Sequence, residues 1–205
     1  VVIDAIAVLA VQLVVQGGVE VYGQARMSVD FNSNNDASPG SCDTSAPRDA
    51  CKDSAIALTS HASRLGFRGN EDLGRGLKLL WQLEQQVDFD TGISATGGRN
   101  SFVGFAGDFG AVVAGKNESP LRTVTQRLDV FADTWADYNA IVGNLGGQRV
   151  FDQRSDNTLM YTSPNLQGFG FSVAYAASIR DDDLPTTTLD SGRNLASVSG
   201  SYGSG

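Results

Sequence analysis

The segment from Leu77 to Phe89 alternates almost perfectly between apolar and polar residues. The odd positions are Leu77, Leu79, Trp81, Leu83, Gln85, Val87 and Phe89, and the even positions are Lys78, Leu80, Gln82, Glu84, Gln86 and Asp88. Successive side chains of a strand point to opposite faces, whereas a helix would scatter this apolar set around its circumference. The pattern therefore predicts a long strand with one apolar face and one polar face.

The residues just before this strand extend the pattern into a hairpin. Leu65 and Phe67 alternate with Arg64, Gly66 and Arg68, and the connection from Asn70 to Gly76 is rich in glycine and acidic residues. Two antiparallel strands joined by a tight turn would give this pattern. Such a hairpin fits a soluble sandwich with its apolar face inward, or a membrane barrel with its apolar face toward lipid.

Further strands follow the same alternation, and their connections differ systematically in length. The predicted strands are Val19–Phe31, Ala55–Gly69, Leu77–Asp90, Arg99–Gly107, Phe109–Lys116, Arg154–Thr162, Phe169–Ser178 and Arg193–Tyr202. In an antiparallel meander alternate connections lie at opposite ends, so one end here carries short turns and the other carries the long loops. Outer-membrane barrels have this asymmetry, which favours the barrel over the sandwich.

Composition excludes several classes of function. The formal net charge of -8 argues against a nucleic-acid partner, which would require a basic patch. The two cysteines, Cys42 and Cys51, lie in one polar segment, where a disulfide is the preferred interpretation and two free thiols are the alternative. The chain has a single histidine, His61, and no second cysteine pair, so we expect no zinc site and no other metal or cofactor.

The first eighteen residues differ from the rest of the chain. Residues 1–18 are apolar except for Asp4 and two glutamines, and they resemble a signal-peptide core without a basic leader. They could equally form an extra strand. Residues 19–205 are predicted to form the barrel portion.

The long connection from Asn117 to Gln153 contains one helical pattern, Leu128–Tyr138. Its apolar residues share one side, and Asp129, Asp133 and Asp137 lie about opposite. One interpretation is a solvated surface helix. If the loop instead folds into the barrel, the three aspartates would face a basic side formed by Arg64, Arg68 and Arg99. Such opposed charges would create a transverse field at the narrowest point of a channel.

Several segments resemble the strand-turn-strand signatures of the trimeric general diffusion porins of Gram-negative bacteria. They are VEVYGQARMSVDF, SRLGFRGNEDLGRGLKLLWQLEQQVDFDTG, GGRNSFVGFAGDFGAVVAGKN and DNTLMYTSPNLQGFGFSVAYAAS. The resemblance runs in order from about Val19 to Tyr202. It implies a homotrimer in the outer membrane, each subunit an all-β, antiparallel transmembrane barrel of 16 strands whose constriction loop follows the fifth strand and folds inward.

The resemblance also assigns residues. Arg64 and Arg99 match the wall arginines of the constriction, Arg68 is a neighbouring basic position, and the acids of the inserted loop match the acidic side. Met160 stands where many relatives have a basic residue. About eight strands follow Val19, half of the family's barrel, so we expect an N-terminal fragment of a longer polypeptide. The alternative is a small closed barrel, which would leave no room for an inserted loop.

The predicted function is passive diffusion of small hydrophilic solutes and ions, with lipid around the barrel. The alternative is a structural or adhesive outer-membrane barrel whose surface loops bind a partner. An enzyme is not expected, because the chain contains neither GxSxG nor HExxH and has one histidine. The run Asp181–Asp183 could hold calcium, although a solvated acidic loop is the preferred interpretation.

Overall fold

The computed structural model describes residues 7–15, 18–33, 54–92, 98–130, 144–145, 148–149, 154–179 and 193–203. The strands are β1 (Ala7–Val15), β2 (Val19–Ser33), β3 (Ser54–Ser60), β4 (Arg64–Gly74), β5 (Leu77–Gln86), β6 (Gly98–Gly107), β7 (Gly110–Glu118), β8 (Asn144–Leu145), β9 (Gln148–Arg149), β10 (Arg154–Thr162), β11 (Phe169–Ile179) and β12 (Arg193–Tyr202). Between β7 and β8 lie helix α1, Pro120–Thr125, and a 3₁₀ turn, Gln126–Leu128.

The fold is all-β, and its strands form one antiparallel sheet in the order β1-β2-β4-β5-β6-β7-β10-β11-β12. β3 pairs with the second half of β2, on the edge that β4 continues, and β8 and β9 form a separate small ribbon. If β3 and β4 count as one interrupted strand, eight strands of the main sheet follow Val19, as the alternation predicted. None of the described helices has the length and apolar character needed to cross a membrane.

Residues 7–15 form strand β1, and every residue of β1 pairs with β2, from Ala7 opposite Met27 to Val15 opposite Val19. The extra strand was one of the two interpretations of residues 1–18. The predicted difference between the two ends of the sheet is confirmed. The turns β4–β5, β6–β7 and β10–β11 are short, whereas the connections β2–β3, β5–β6, β7–β10 and β11–β12 are long.

The turn between β4 and β5 shows why its glycines are needed. Gly74, Arg75 and Gly76 all have positive φ, of 86°, 56° and 77°. Glycine adopts this region without a steric penalty, so the two flanking glycines allow the reversal. Asp72 Oδ1 accepts a hydrogen bond from the Gly74 N–H at 2.8 Å and fixes the end of β4.

The second predicted strand, Ala55–Gly69, is interrupted at residues 61–63. Ala62 has φ of 46°, and Ser63 is fully buried between the two segments. Ser63 Oγ accepts a hydrogen bond from Arg26 N at 2.9 Å and donates one to Arg26 O at 3.0 Å. A serine hydroxyl therefore replaces one step of the backbone ladder, and the strand changes register there.

Candidate functional site

Helix α1 defines the inner face of the sheet. The Leu121 N–H donates a hydrogen bond to Ser197 Oγ of β12 at 3.2 Å, so α1 lies on the face that carries Ser197. Directly paired residues of neighbouring strands share a face. From Ser197 the register runs through Ala174, Met160, Val113, Gly104, Leu80 and Asn70. The base of the loop after β7 thus folds back onto this face of the sheet, which we call the inner face.

The opposite, outer face is almost wholly apolar. One row of paired residues across it consists of Ala196, Tyr175, Leu159, Ala114, Val103, Trp81, Gly69 and Val19. Large side chains of this face are exposed, including Val103 at 52% and Tyr175 at 51%. A continuous apolar surface of this kind, opposite a polar face, is typical of a sheet that contacts lipid.

Aromatic residues gather on the outer face beside the short turns. Tyr161 and Phe171 have ring centroids 5.7 Å apart, and Phe169 lies 6.5 Å from Phe171. The Tyr161 hydroxyl donates to Phe109 O at 2.8 Å, next to the β6–β7 turn. Tyr202 pairs with Phe169 at the same end. Tyr161 and Tyr202 combine an aromatic ring with a polar tip, which is the kind of side chain favoured at a boundary between lipid and water.

The inner face carries a continuous group of charged side chains, which we call the charged belt. Its members are Glu20, Arg64, Arg68, Glu84, Arg99, Glu118, Arg122 and Arg154. They come from β2, β4, β5, β6, β7, α1 and β10, so the belt crosses most of the sheet. All three arginines predicted for the basic side belong to it.

Arg99 and Glu84 form the buried part of the belt. Leu83 pairs with Ser101 and Gln85 with Gly98, so Glu84 faces two residues of β6. This β-bulge redirects Arg99, which simple alternation would place on the outer face. The Arg99 guanidinium donates from Nε to Glu84 Oε1, and both residues are only 7% exposed. The charge of Arg99 is therefore neutralised within the wall.

Tyr22 connects this ion pair to β2. Its hydroxyl donates to Glu84 Oε2 at 2.7 Å, and its ring lies across Gly66. A Cβ at position 66 would lie 2.3 Å from the ring, so only glycine leaves room for the tyrosine. Gly66 in the motif SRLGFRG thus allows a large side chain to cross from one strand to reach a carboxylate two strands away.

Arg68 and Arg64 stand further along the same face. Arg68 forms a bidentate pair with Glu20, at 2.8 and 2.7 Å, and stacks over the Tyr22 ring with its guanidinium carbon 5.0 Å from the centroid. Its side chain is nevertheless 49% exposed. Arg64 pairs across the sheet with Gln24 and Gln86 and is half-buried. These two arginines present their charge to the space over the inner face.

Arg154 is a wall arginine that the sequence reasoning missed. It pairs with Glu118 across β10 and β7, its Nη2 lies 2.6 Å from Glu118 Oε1, and its Nε donates to Asn100 Oδ1 at 3.1 Å. It lies within electrostatic range of Arg99 and Glu84. The pairing of the two flanking strands could have identified it. If the long loop is treated as an insertion, the predicted strands Phe109–Lys116 and Arg154–Thr162 become neighbours, and Arg154 then lies next to the end of the first of them.

The described helix of the inserted loop, Pro120–Thr125, was not predicted from the sequence, and residues 131–138 of the predicted helix lie outside the described residues. The described helix covers Pro120–Thr125, the 3₁₀ turn ends at Leu128, and Asp129 is already extended, with φ of −86° and ψ of 102°. A helix beginning at Leu128 is therefore wrong. Ser119 caps α1, its Oγ accepting from Arg122 N at 3.2 Å, and Pro120 occupies the first turn. This is a common start signal for a helix.

The predicted acidic side can be located only in part. Asp129 follows the 3₁₀ turn and is partly exposed. Asp133 and Asp137 lie outside the described residues, as do Cys42, Cys51 and the run Asp181–Asp183. Within the described ranges, no three His, Cys, Asp or Glu side chains are grouped as a metal site would require.

A cavity of about 400 Å³ lies between the inserted loop and the wall. Hydroxyl side chains and one arginine form its polar lining: Thr123, Arg127, Thr162, Ser172, Ser199 and Ser201. Met160, where a basic residue was expected by resemblance, also lines it and adds no charge. The space beside the loop thus has a lining of both polar and apolar side chains, the latter including Val124 and Phe171.

Comparison with known proteins decides the family. The sequence profile of the Gram-negative porins matches residues 3–205. The chain belongs to this family. A major outer membrane protein P.IA of Neisseria meningitidis serogroup B is 34% identical over 147 residues, covering 69% of this chain and 36% of that protein. A major outer membrane protein P.IB of Neisseria gonorrhoeae is 34% identical over 119 residues, covering 58% of this chain and 33% of that protein.

A solved porin has the same fold. The anion-selective porin from Comamonas acidovorans superposes with a TM-score of 0.62 at 30% identity, over 78% of this chain and 46% of that protein. The chain spans about a third of the length of the curated relatives and just under half of the solved porin. The all-β, antiparallel porin fold that the resemblance implied is confirmed.

Proposed function

We propose that the full-length protein is a homotrimeric porin of the bacterial outer membrane, through which small hydrophilic solutes and ions diffuse passively. The observation that carries this proposal is the division of one sheet into an apolar outer face and an inner face that bears the charged belt and the docked helix α1. Curated relatives are named major outer membrane proteins, which supports the location. The family consists of channels, and the proposal needs no cofactor and no covalent chemistry.

The inner face explains how such a channel would select its solutes. The inserted loop narrows the lumen from one side, and the belt supplies fixed charge from the wall. Solutes are therefore selected by size and by charge at the same depth of the channel. Asp129, Asp133 and Asp137 are assigned to the acidic side of this constriction, opposite Arg64, Arg68 and Arg99. Counter-ions in the wider parts of the lumen screen fixed charges within a short distance. The charges of the wall therefore affect a passing ion mainly where the lumen is narrow.

The conductance of the protein tests the proposal directly. Full-length protein inserted into a planar lipid bilayer should give stepwise, ohmic current increments in potassium chloride, each increment corresponding to one inserted trimer. The same protein preparation should be a trimer in detergent, as measured by its mass in analytical ultracentrifugation. Folded trimers that insert and carry no current would exclude a channel and favour an adhesive or structural barrel.

The belt favours anions. It contains five arginines, Arg64, Arg68, Arg99, Arg122 and Arg154, and three glutamates, Glu20, Glu84 and Glu118, an excess of two positive charges (5 − 3 = 2). The solved porin that resembles this chain is anion-selective. We therefore infer that the wall side of the constriction favours chloride, whereas the three aspartates assigned to the loop side oppose this preference, and that the reversal potential reports the balance between the two sides.

Charge reversal at Arg64 should shift this preference. An Arg64→Glu variant is expected to move the reversal potential in a salt gradient toward the potassium equilibrium value, because it replaces a half-buried positive charge on the inner face with a negative one. The matched control is Arg75→Glu in the exposed β4–β5 turn, which makes the same change in net charge away from the belt. Equal reversal potentials for the two variants would remove Arg64 from the constriction.

A further inference from the structure

Glu118 joins three parts of the protein at the point where the wall becomes the inserted loop. It is the last residue of β7, and its side chain is 17% exposed. Its Oε1 accepts from Arg154 Nη2 of β10 at 2.6 Å, from Gln126 Nε2 of the 3₁₀ turn at 3.1 Å and from Arg122 Nε of α1 at 3.3 Å. One carboxylate oxygen therefore connects the wall to both helical segments of the loop.

Contacts with the inserted loop, and not the alternation of β7, place Glu118 on the inner face. Simple alternation from Val112 and Ala114, which lie on the outer face, would put Glu118 on the outer face as well. Gly115 pairs with Thr158 and Asn117 with Ser155, so β10 has one extra residue between these pairs, and Gly115 has φ of 144°. Because the extra residue lies in β10, the bulge changes the alternation of that strand and brings Arg154 opposite Glu118. This residue was therefore invisible to the alternation.

The other contacts of the loop base are weaker or more local. Leu121 N–H to Ser197 Oγ is a single neutral hydrogen bond at 3.2 Å, and the Ser119 cap stabilises α1 without reaching the wall. Hydrogen bonds between an arginine and a carboxylate are stronger than neutral ones, and here they lie at partly buried positions. Glu118 is thus the dominant described connection between the loop base and β10.

We propose that Glu118 is a positioning and specificity-determining residue of the channel, a step that rests on the proposed function. Its contacts with Arg122 and Gln126 hold the base of the inserted loop against the wall and so set the width of the lumen. Its charge offsets the charges of Arg122 and Arg154 and so limits the anion preference. One side chain therefore controls size exclusion and charge selection together.

Two substitutions separate these roles. Glu118→Gln removes the charge but keeps an oxygen that can accept from the same donors, whereas Glu118→Ala removes both. We expect the same shift of reversal potential toward the chloride value in both variants. We expect a larger single-channel conductance and faster uptake of large sugars by proteoliposomes mainly in Glu118→Ala. The matched control is Glu71→Ala, an exposed acid of β4 that makes no described contact with the loop.

A measurement independent of conduction distinguishes failure of this inference from failure of the proposed function. Hydrogen–deuterium exchange in Leu121–Leu128 of the folded protein should be faster in Glu118→Ala than in wild type by at least about tenfold, because local opening of α1 becomes less costly. Unchanged exchange, with unchanged conductance and reversal potential, overturns the role of Glu118. Faster exchange in a protein that never conducts would uphold the loop anchor and refute the channel.

Discussion

The free energy of unfolding of a Glu84→Gln variant is expected to be about 3–5 kcal/mol lower than that of the wild type, because the substitution leaves the guanidinium of Arg99 buried without its counter-ion. Arg99 and Glu84 are each 7% exposed, and Glu84 also accepts the Tyr22 hydroxyl at 2.7 Å. Equilibrium unfolding in urea, with the protein in lipid vesicles and tryptophan fluorescence as the signal, gives the difference. Folding itself should remain possible, since the strand ladder around the site is unchanged.

Two further variants show whether the charge is the cause. Glu20→Gln breaks the pair with Arg68, which is 49% exposed, and should cost less than about 1 kcal/mol because water screens that pair. Glu84→Gln combined with Arg99→Gln should recover most of the loss, giving a large coupling energy in a double-mutant cycle. Additive losses would mean that the two side chains stabilise the sheet independently.

Replacing the inserted loop by a short turn is expected to widen the channel while the strand pairing of the barrel wall is kept. Glu118 and Arg154 are directly opposite in neighbouring antiparallel strands, so a two-residue Asn-Gly turn can connect β7 to β10 once residues 119–153 are removed. The lumen would lose α1 and the segment that follows it. Single-channel conductance should rise, and sugars that wild type excludes should enter proteoliposomes.

The control for this variant is a shortened loop at the same end of the sheet. Removing residues 181–190 from the β11–β12 connection takes away chain without touching α1. Its conductance and size limit should remain those of wild type. If both deletions widen the channel equally, the loop after β7 is not the constriction, and an outer loop limits passage instead.

The sequence was most informative where side chains alternate without interruption. β12 was predicted with both of its ends as observed, Arg193 and Tyr202, and β5 with its first residue, Leu77. Alternation reports the face of a strand directly, because a side chain that contacts lipid must be apolar. The assignment of Leu79 and Trp81 to the outer face, and of Arg64 and Arg68 to the inner face, therefore needed no structure.

The pairing inside the belt could not be predicted in the same way. Arg99 reaches the inner face through a β-bulge in β6, and a second bulge, in β10, precedes the pairing of Arg154 with Glu118. A bulge adds one residue to a strand and leaves no mark in the polarity pattern. The interruption at Ala62 and Ser63 is hidden for the same reason. In each case the polarity of single residues is unchanged, and only the register between two strands reveals which face a side chain occupies.

The described helix of the inserted loop was missed for a different reason. Periodicity favoured Leu128–Tyr138, whereas the chain carries an N-terminal start signal at Ser119 and Pro120 that the structure uses. In a segment this short, capping decides where a helix begins more than the spacing of apolar residues does. The capping signal at Ser119 therefore identifies the described helix, and the predicted start at Leu128 is wrong because Asp129 is extended.

The direct contact between β7 and β10 also bears on the order of folding. From β4 to β7, and again from β10 to β12, each strand pairs with the next one in the chain, so those hairpins close small loops. Pairing β10 with β7 closes the largest loop of this sheet, and closure entropy rises with loop length. Glu118 bonds Arg154 and Arg122 at that junction, so its contacts form only when strand docking and loop insertion are both complete. We therefore expect this junction to form late in folding, so that in the proposed channel the constriction would be completed as the wall between β7 and β10 closes.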